Sequence, residues 1–154
     1  MKIEGRFIFP ASTQAVWDLL TDPQSLQACT PGCKKLTEIG ADEFEATLEI
    51  GVGPIKGAFG GKILMREKNP PLSYKLIVEG SGAAGFVRGE GKLSLEQSED
   101  DKTTVLASGD AQVGGLIAGV GQRLLEGVAK QMMGQFFRCL QSQLATRIAK
   151  SDRS

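Results

Sequence analysis

Hydrophobic and polar positions alternate in two rhythms along the chain, and the rhythm changes twice. Lys2 to Phe9 runs at period two, with Ile3, Gly5, Phe7 and Phe9 on one face and Lys2, Glu4, Arg6 and Ile8 on the other. That predicts a strand, which Pro10 ends. Ser12 then stands at a helix N-cap ahead of Val16, Trp17, Leu19 and Leu20 at helical spacing. Asp22-Pro23 breaks this helix and caps a second short one over Gln24 to Ala28, and Pro31-Gly32 turns the chain.

Period two returns from Lys34 to Val113. Lys34–Ile39 and Glu43–Val52 are joined by the hairpin-length Gly40-Ala41-Asp42. In the second, Phe44, Ala46, Leu48 and Ile50 share one face and Glu43, Glu45, Thr47 and Glu49 the other. Gly53-Pro54 leads into Ile55–Lys68, Asn69-Pro70-Pro71 into Leu72–Gly82, then come Gly85–Glu96 and Thr103–Val113. This is an antiparallel meander of about six strands.

After Gly114-Gly115 the period becomes helical. Leu116, Val120, Leu124, Val128, Met132, Phe136, Leu140, Leu144 and Ile148 form an i,i+4 ladder, widened in the middle by Leu125, Ala129, Met133 and Phe137. A row at spacing four drifts by about 40° per step, so such a helix wraps against a curved surface. Running from Leu116 or later to Ala149, it spans about 50 Å at roughly 1.5 Å per residue, and Lys150–Ser154 reads as a loose tail.

Each strand has one apolar face, so the sheet is covered on one side, and only the long helix is large enough to cover it. The expected architecture is therefore α+β and helix-grip: one domain over residues 1–149, a seven-stranded antiparallel sheet wrapped around a C-terminal helix, with two short helices after strand 1. On the inward parity of the strands, glycine recurs at Gly5, Gly57, Gly61, Gly80, Gly89, Gly91 and Gly109. Glycine there marks curvature or close approach, and it also leaves volume that native packing would fill. The two consequences are compatible, and together they predict a hollow interior. Its expected lining is Trp17, Leu48, Ile50, Phe59, Tyr74, Leu124, Val128, Met132 and Phe136, with Phe86 added if a bulge turns the Phe86–Gly91 segment. Such a bulge would also carry Arg88 and Glu90 inward, where they could hold a polar head group.

Composition narrows the chemistry. The 154 residues contain 18 basic and 18 acidic side chains, which argues against a nucleic-acid binder. Histidine is absent, removing Ser-His-Asp and Cys-His catalysis and His-ligated metals. No apolar run approaches the roughly 18 residues of a membrane span, and no signal peptide opens the chain. Three cysteines without a signal peptide point to a reducing cytoplasm. Cys29-Thr-Pro-Gly-Cys33 lacks zinc spacing and reads as a turn with two small apolar thiols. Residues 121–154 carry a net charge of +4 against −4 for the rest, a basic helix end that suits the C-terminal dipole or an anionic lipid surface. No catalytic or metal-binding constellation is present.

Several segments resemble a known family. They are Gly57-Ala58-Phe59-Gly60-Gly61-Lys62, Asn69-Pro70-Pro71, Gly80 through Gly91, Thr30-Pro31-Gly32-Cys33, and Val113-Gly114-Gly115 through Gly121. They are similar to the carbon monoxide dehydrogenase subunit CoxG, whose family falls in the START-like (Bet v 1-like), SRPBCC helix-grip superfamily. The resemblance covers nearly all of residues 1–148. It implies an accessory protein, not an enzyme, that binds a hydrophobic ligand between sheet and helix. That ligand would be a quinone, with no covalent cofactor, and the partner a molybdenum hydroxylase of the carbon monoxide dehydrogenase type. It further implies a cytoplasmic location, at the inner face of the cytoplasmic membrane. The rival expectations are an enzyme of aromatase/cyclase type on the same fold and an interaction protein with a filled core.

Overall fold

Alternating exposure along Lys2–Phe9 makes β1, with its last side chain, Phe9, wholly buried. The computed structural model describes residues 1–153, and the side chains of residues 1–150. Ser12 Oγ accepts the Ala15 amide at 3.2 Å and starts α1 (Thr13–Leu20), which buries Val16, Trp17, Leu19 and Leu20. Asp22 caps α2 (Pro23–Cys29) by accepting the Gln24 amide at 3.1 Å, with Pro23 in the first turn, where its missing N–H costs nothing.

The meander follows as β2 (Cys33–Gly40), β3 (Glu43–Val52), β4 (Ile55–Asn69), β5 (Ser73–Gly82), β6 (Gly85–Ser98) and β7 (Lys102–Gly114). The seven strands form one antiparallel sheet in the order β1-β7-β6-β5-β4-β3-β2. Register is unbroken between β5 and β6 and between β6 and β7, so no bulge interrupts the Phe86–Gly91 segment. Arg88 and Glu90 therefore stay on the outer face, where Glu90 pairs with Lys75 at 3.3 Å.

The helix takes the later of its expected starts, and the first rungs of the ladder, Leu116 and Val120, lie outside it. Leu116–Val120 forms a 3₁₀ turn, Gly121 takes φ +98°, and only then does α3 (Gln122–Arg153) begin. At the corner before it, a Cβ on Gly115 (φ +82°) would stand 2.6 Å from Gly85 Cα. That closeness lets the Ile117 amide donate to Ala84 O at 2.9 Å and buries the Ile117 side chain. At the other end α3 continues to Arg153 rather than stopping at Ala149. Of the expected loose tail, Ser154 lies outside the described residues.

Both sheet edges are capped by side-chain amides. Gln141 on α3 donates to Ile8 O of β1 at 2.8 Å, and Gln27 on α2 accepts the Leu36 amide of β2 at 3.2 Å. Two links tie α2 to α3. Arg147 meets Asp22 and donates to Ser25 Oγ at 2.9 Å, and Cys29 is disulfide-bonded to Cys139, with Cα atoms 5.3 Å apart. The bond corrects the reading of Cys29 as a free turn thiol. Its partner lies 110 residues away, and only the packing of α2 on α3 brings the two sulfurs together. Cys33 remains a thiol, its pKa pushed up by burial and only partly offset by its hydrogen bond to Lys35 O.

Candidate ligand site

The core is two clusters, not one. The first fills the end under α1 and α2, with Phe9, Leu19, Leu20, Tyr74, Leu95 and Val105 packed on Phe137, Leu140 and Leu144 of α3. The second lies at the opposite end, where Ile55, Phe59 and Ile117 are buried and Ile50, Val87, Val113, Leu125 and Val128 pack around them. Between them the sheet carries its glycines. Gly61 pairs with Gly80, Gly91 with Gly109, and Gly89 with both Val78 and Ala111. All of these inner-face positions stay half-buried, as do Leu48 on β3 and Val128, Met132 and Met133 on α3. The α3 backbone approaches β1, α1 and α2, and makes no comparably close approach to β3–β6. An inner surface that remains accessible beneath a covering helix is a gap.

The glycines bordering the gap are of two kinds. A Cβ on Gly61 would run into Glu79 O and stand 2.9 Å from Gly80 Cα, and one on Gly109 would stand 2.9 Å from Glu90 O. These permit close approach of neighbouring backbones in a coiled sheet. A Cβ on Gly80 would meet only Gly60 O at 3.9 Å, and one on Gly89 nothing nearer than 3.5 Å. These leave space. On the β1 side the gap is closed: a Cβ on Gly5 would stand 2.7 Å from the Phe7 ring and 2.9 Å from Met133 Cε, and Phe7 stacks on Phe137 at 4.1 Å.

The expected lining residues separate by depth. Trp17 and Tyr74 form the closed floor, edge to face at 5.5 Å and 5% and 2% exposed, with the Tyr74 hydroxyl donating to Leu20 O at 3.4 Å. Burial drives the Tyr74 pKa well above the ordinary tyrosine range. Phe136 leans on the first cluster, edge to face with Phe137 at 5.1 Å. Phe59 anchors the second cluster, with Ile50 and Val128 against it. Leu48 and Met132 lie between the two.

Two residues are not where the sequence pattern put them. Phe86 is 44% exposed, on the outer parity, with its ring over Gly114. Without a bulge, nothing turns it inward. Leu124 is 43% exposed, and Leu125 takes the inward place. The drift of an i,i+4 row carries Leu124 off the buried face just where Gly121 frees the helix end from the ladder. Val78, Ala111 and Met133 border the gap as well; they are absent from the expected lining, although strand parity and the widened helix face point them inward.

The surface is also indented between α3 and the end of β3. A cleft of about 460 Å³ is lined there by Pro31, Gly32, Glu49, Ile50, Gly51, Val52, Gly53, Gln131, Met132 and Gln135. The Glu49 amide donates to Gly32 O at 2.8 Å and holds the Pro31-Gly32 loop onto β3 as one lip. Residues 131, 132 and 135 of α3 form the other. A larger hollow of about 620 Å³ lies on the outer sheet face, lined among others by Lys2, Glu4, Lys75, Glu90, Lys92 and Asp110. It mixes charges of both signs.

The chain matches the family model of the carbon monoxide dehydrogenase subunit CoxG over residues 5–145. It belongs to the CoxG family. A conserved protein from Geobacillus kaustophilus shares 38% identity, covering 95% of this chain and 96% of its own, with a TM-score of 0.92. A START superfamily protein from Mycobacterium smegmatis superposes at a TM-score of 0.74 with 10% identity, covering 94% of this chain and 97% of its own. The Zhui aromatase/cyclase from Streptomyces sp. R1128 does so at 0.70 with 13% identity, covering 96% and 95%. No curated protein matches the chain. The fold of this family member is thus START-like and helix-grip, as its element order predicts. Family and fold together support an accessory role with a hydrophobic ligand. Among the described residues no helix is long and apolar enough to cross a membrane.

Proposed function

We propose that this CoxG-family protein is a non-catalytic carrier of a hydrophobic small molecule, a quinone, held between sheet and helix. It would link a molybdenum hydroxylase of the carbon monoxide dehydrogenase type to the quinone pool at the inner face of the cytoplasmic membrane. The observation that carries this reading is the split core. A protein that needed only stability would close the gap between its two clusters, because unfilled volume in an apolar interior is costly. Instead a Cβ on Gly80 or Gly89 would meet ordinary contacts only, none nearer than 3.5 Å, on an inner face that stays half-buried. The gap is bordered by Leu48, Val78, Ala111, Val128 and Met132, and Met132 is a soft side chain that adapts to a guest. The outward placement of Arg88 and Glu90 supports the non-catalytic reading over the aromatase/cyclase one, since neither ionisable group reaches a ligand held in the gap.

Native mass spectrometry of protein purified from its own host tests the proposal. The expected result is a non-covalent adduct whose mass and ultraviolet spectrum are those of an isoprenoid quinone. Gly80→Leu should abolish it, because the new side chain enters the gap. An unliganded mass throughout repeated native preparations would refute the carrier role.

A further inference from the structure

Helices α2 and α3 run antiparallel, and their ties fall at matched intervals. Arg147 on α3 meets Asp22 and Ser25 near the start of α2. Cys139, about two turns back along α3, is bonded to Cys29, the last residue of α2. The chain leaves Cys29 through Thr30 into the Pro31-Gly32 loop, whose Gly32 O accepts the Glu49 amide at 2.8 Å. On the other helix, Gln135 lies one turn before Cys139. Pro31, Gly32 and Gln135 all line the cleft of about 460 Å³, and Met132 borders both this cleft and the sheet–helix gap. The disulfide therefore straps the two walls of the cleft together at one end.

We propose that the Cys29–Cys139 bond is a reversible thiol–disulfide strap that sets how far the Pro31-Gly32 loop stands from α3, and so how readily a guest enters or leaves the interior. The inference goes beyond the carrier reading and rests on it for the compartment and the guest. A domain of 154 residues with a closed cluster under α1 and α2 has core enough to fold without a disulfide. A reducing compartment does not keep such a bond as a permanent staple. The two sulfurs differ in access: Cys29 is 4% exposed within the first cluster, whereas Cys139 is half-buried on α3. An outside thiolate therefore attacks Cys139 Sγ. The S–S bond breaks, a mixed disulfide forms, and Cys29 leaves with the electron pair and takes up a proton. The second thiol of a dithiol reductant then attacks the reductant's own sulfur in the mixed disulfide. Cys139 is released as a thiol and the reductant leaves as a cyclic disulfide, having given two electrons and two protons. Cys33 does not serve as an internal attacker: its thiol donates to Lys35 O at 3.5 Å, along β2, and burial keeps it protonated. Reduction exchanges the covalent tie for at most a weak one, from the Cys139 thiol to Ala28 O, 3.8 Å away. The Arg147 contacts keep the start of α2 in place as a hinge.

Amide hydrogen exchange, read by NMR on the wild-type chain before and after dithiothreitol, tests the strap. The Thr30, Cys33, Leu36 and Glu49 amides donate to Leu26 O, Thr30 O, Gln27 Oε1 and Gly32 O. All four should exchange at least about tenfold faster once the bond is reduced. The Leu26 amide, bonded to Asp22 O beside Arg147, and the Leu95 amide, bonded to Leu72 O, should change by less than about twofold. Cys139→Ser should match the reduced protein without reductant, and Cys33→Ser should match wild type in both states. In stopped flow, preloaded Nile red should leave the reduced protein several-fold faster than the oxidised one. A bond that dithiothreitol opens only in denaturant, or whose opening unfolds the whole chain by Trp17 fluorescence, is a fixed staple, and either result overturns the inference. Unchanged exchange at the four amides, or unchanged release of bound Nile red, overturns it as well and leaves the carrier reading standing. If Nile red binds neither state, the failure lies with the carrier reading, and the four amides alone decide the strap.

Discussion

Gly61 and Gly80 face each other in the β4–β5 register and point to the same side of the sheet, yet alanine should have opposite effects at the two. Neither lies in the positive-φ region, so backbone conformation permits a side chain at both. At Gly80 a methyl fits without strain, meeting only Gly60 O at 3.9 Å. It removes flexibility from the unfolded chain and should stabilise by about 0.5–1 kcal/mol. At Gly61 the methyl is driven into Glu79 O, a backbone atom that moves only if the β4–β5 ladder moves. Overpacking of this kind costs about 1–3 kcal/mol. The two variants should therefore differ by about 2–3 kcal/mol. With a urea m-value near 2 kcal/mol/M, that is a separation of about 1 M or more between midpoints. Trp17 is the single tryptophan and is buried, so its fluorescence reports the transition. Gly61→Ala should unfold at lower urea than wild type and Gly80→Ala at equal or higher urea, with unchanged slopes. Coincident midpoints for the two variants would refute the division of the glycines into curvature and space, and with it the physical case for a gap.

Three further outcomes follow from particular contacts. Thiol titration of the non-reduced folded protein should find one reactive cysteine, Cys33, rising to three after reduction and unfolding; three before reduction would remove the Cys29–Cys139 link. Cys139→Ser should cost up to about 4.8 kcal/mol in a denaturant melt, the loop-closure value for a separation of 110 residues; an unchanged midpoint would contradict it. Tyr74 is the single tyrosine, and its folded pKa lies above the unfolded value of about 10, so its contribution is complete below that pH and is lost as pH rises beyond it. Absorbance near the phenolate band should appear only as the protein unfolds at alkaline pH, whereas ionisation at about pH 10 with the fold retained would show that Tyr74 is not sealed in the floor.

Much of the fold was legible in the residue pattern because it depends on neighbours in sequence. Strand parity follows from the alternation in Glu43–Val52, the caps at Ser12 and Asp22 from short side chains ahead of helical spacing, and the meander from turn residues at Gly53-Pro54 and Asn69-Pro70-Pro71. The element order then leaves α3 as the long cover for the inner face, with α1 and α2 closing one end. Outward residues such as Glu45 and Glu49 could be set aside on the same grounds. The glycine count on the inward parity already signalled missing bulk, although not which glycines leave space.

What chain-local chemistry could not decide was anything set by distance across the fold. Whether a glycine means a bend or a void depends on the strand beside it, and Gly61 and Gly80 differ only there. The Cys29–Cys139 bond joins helices that are remote in sequence. The exchange of Leu124 for Leu125 depends on where Gly121 releases the helix from the corner held by Ile117. The cleft beside α3 exists because the Pro31-Gly32 loop is hydrogen-bonded onto β3 across from Gln131 and Gln135. Periodicity records which side of an element is apolar; how far that side stands from its neighbours, and so whether the interior is filled, is a property of the assembled sheet and helix.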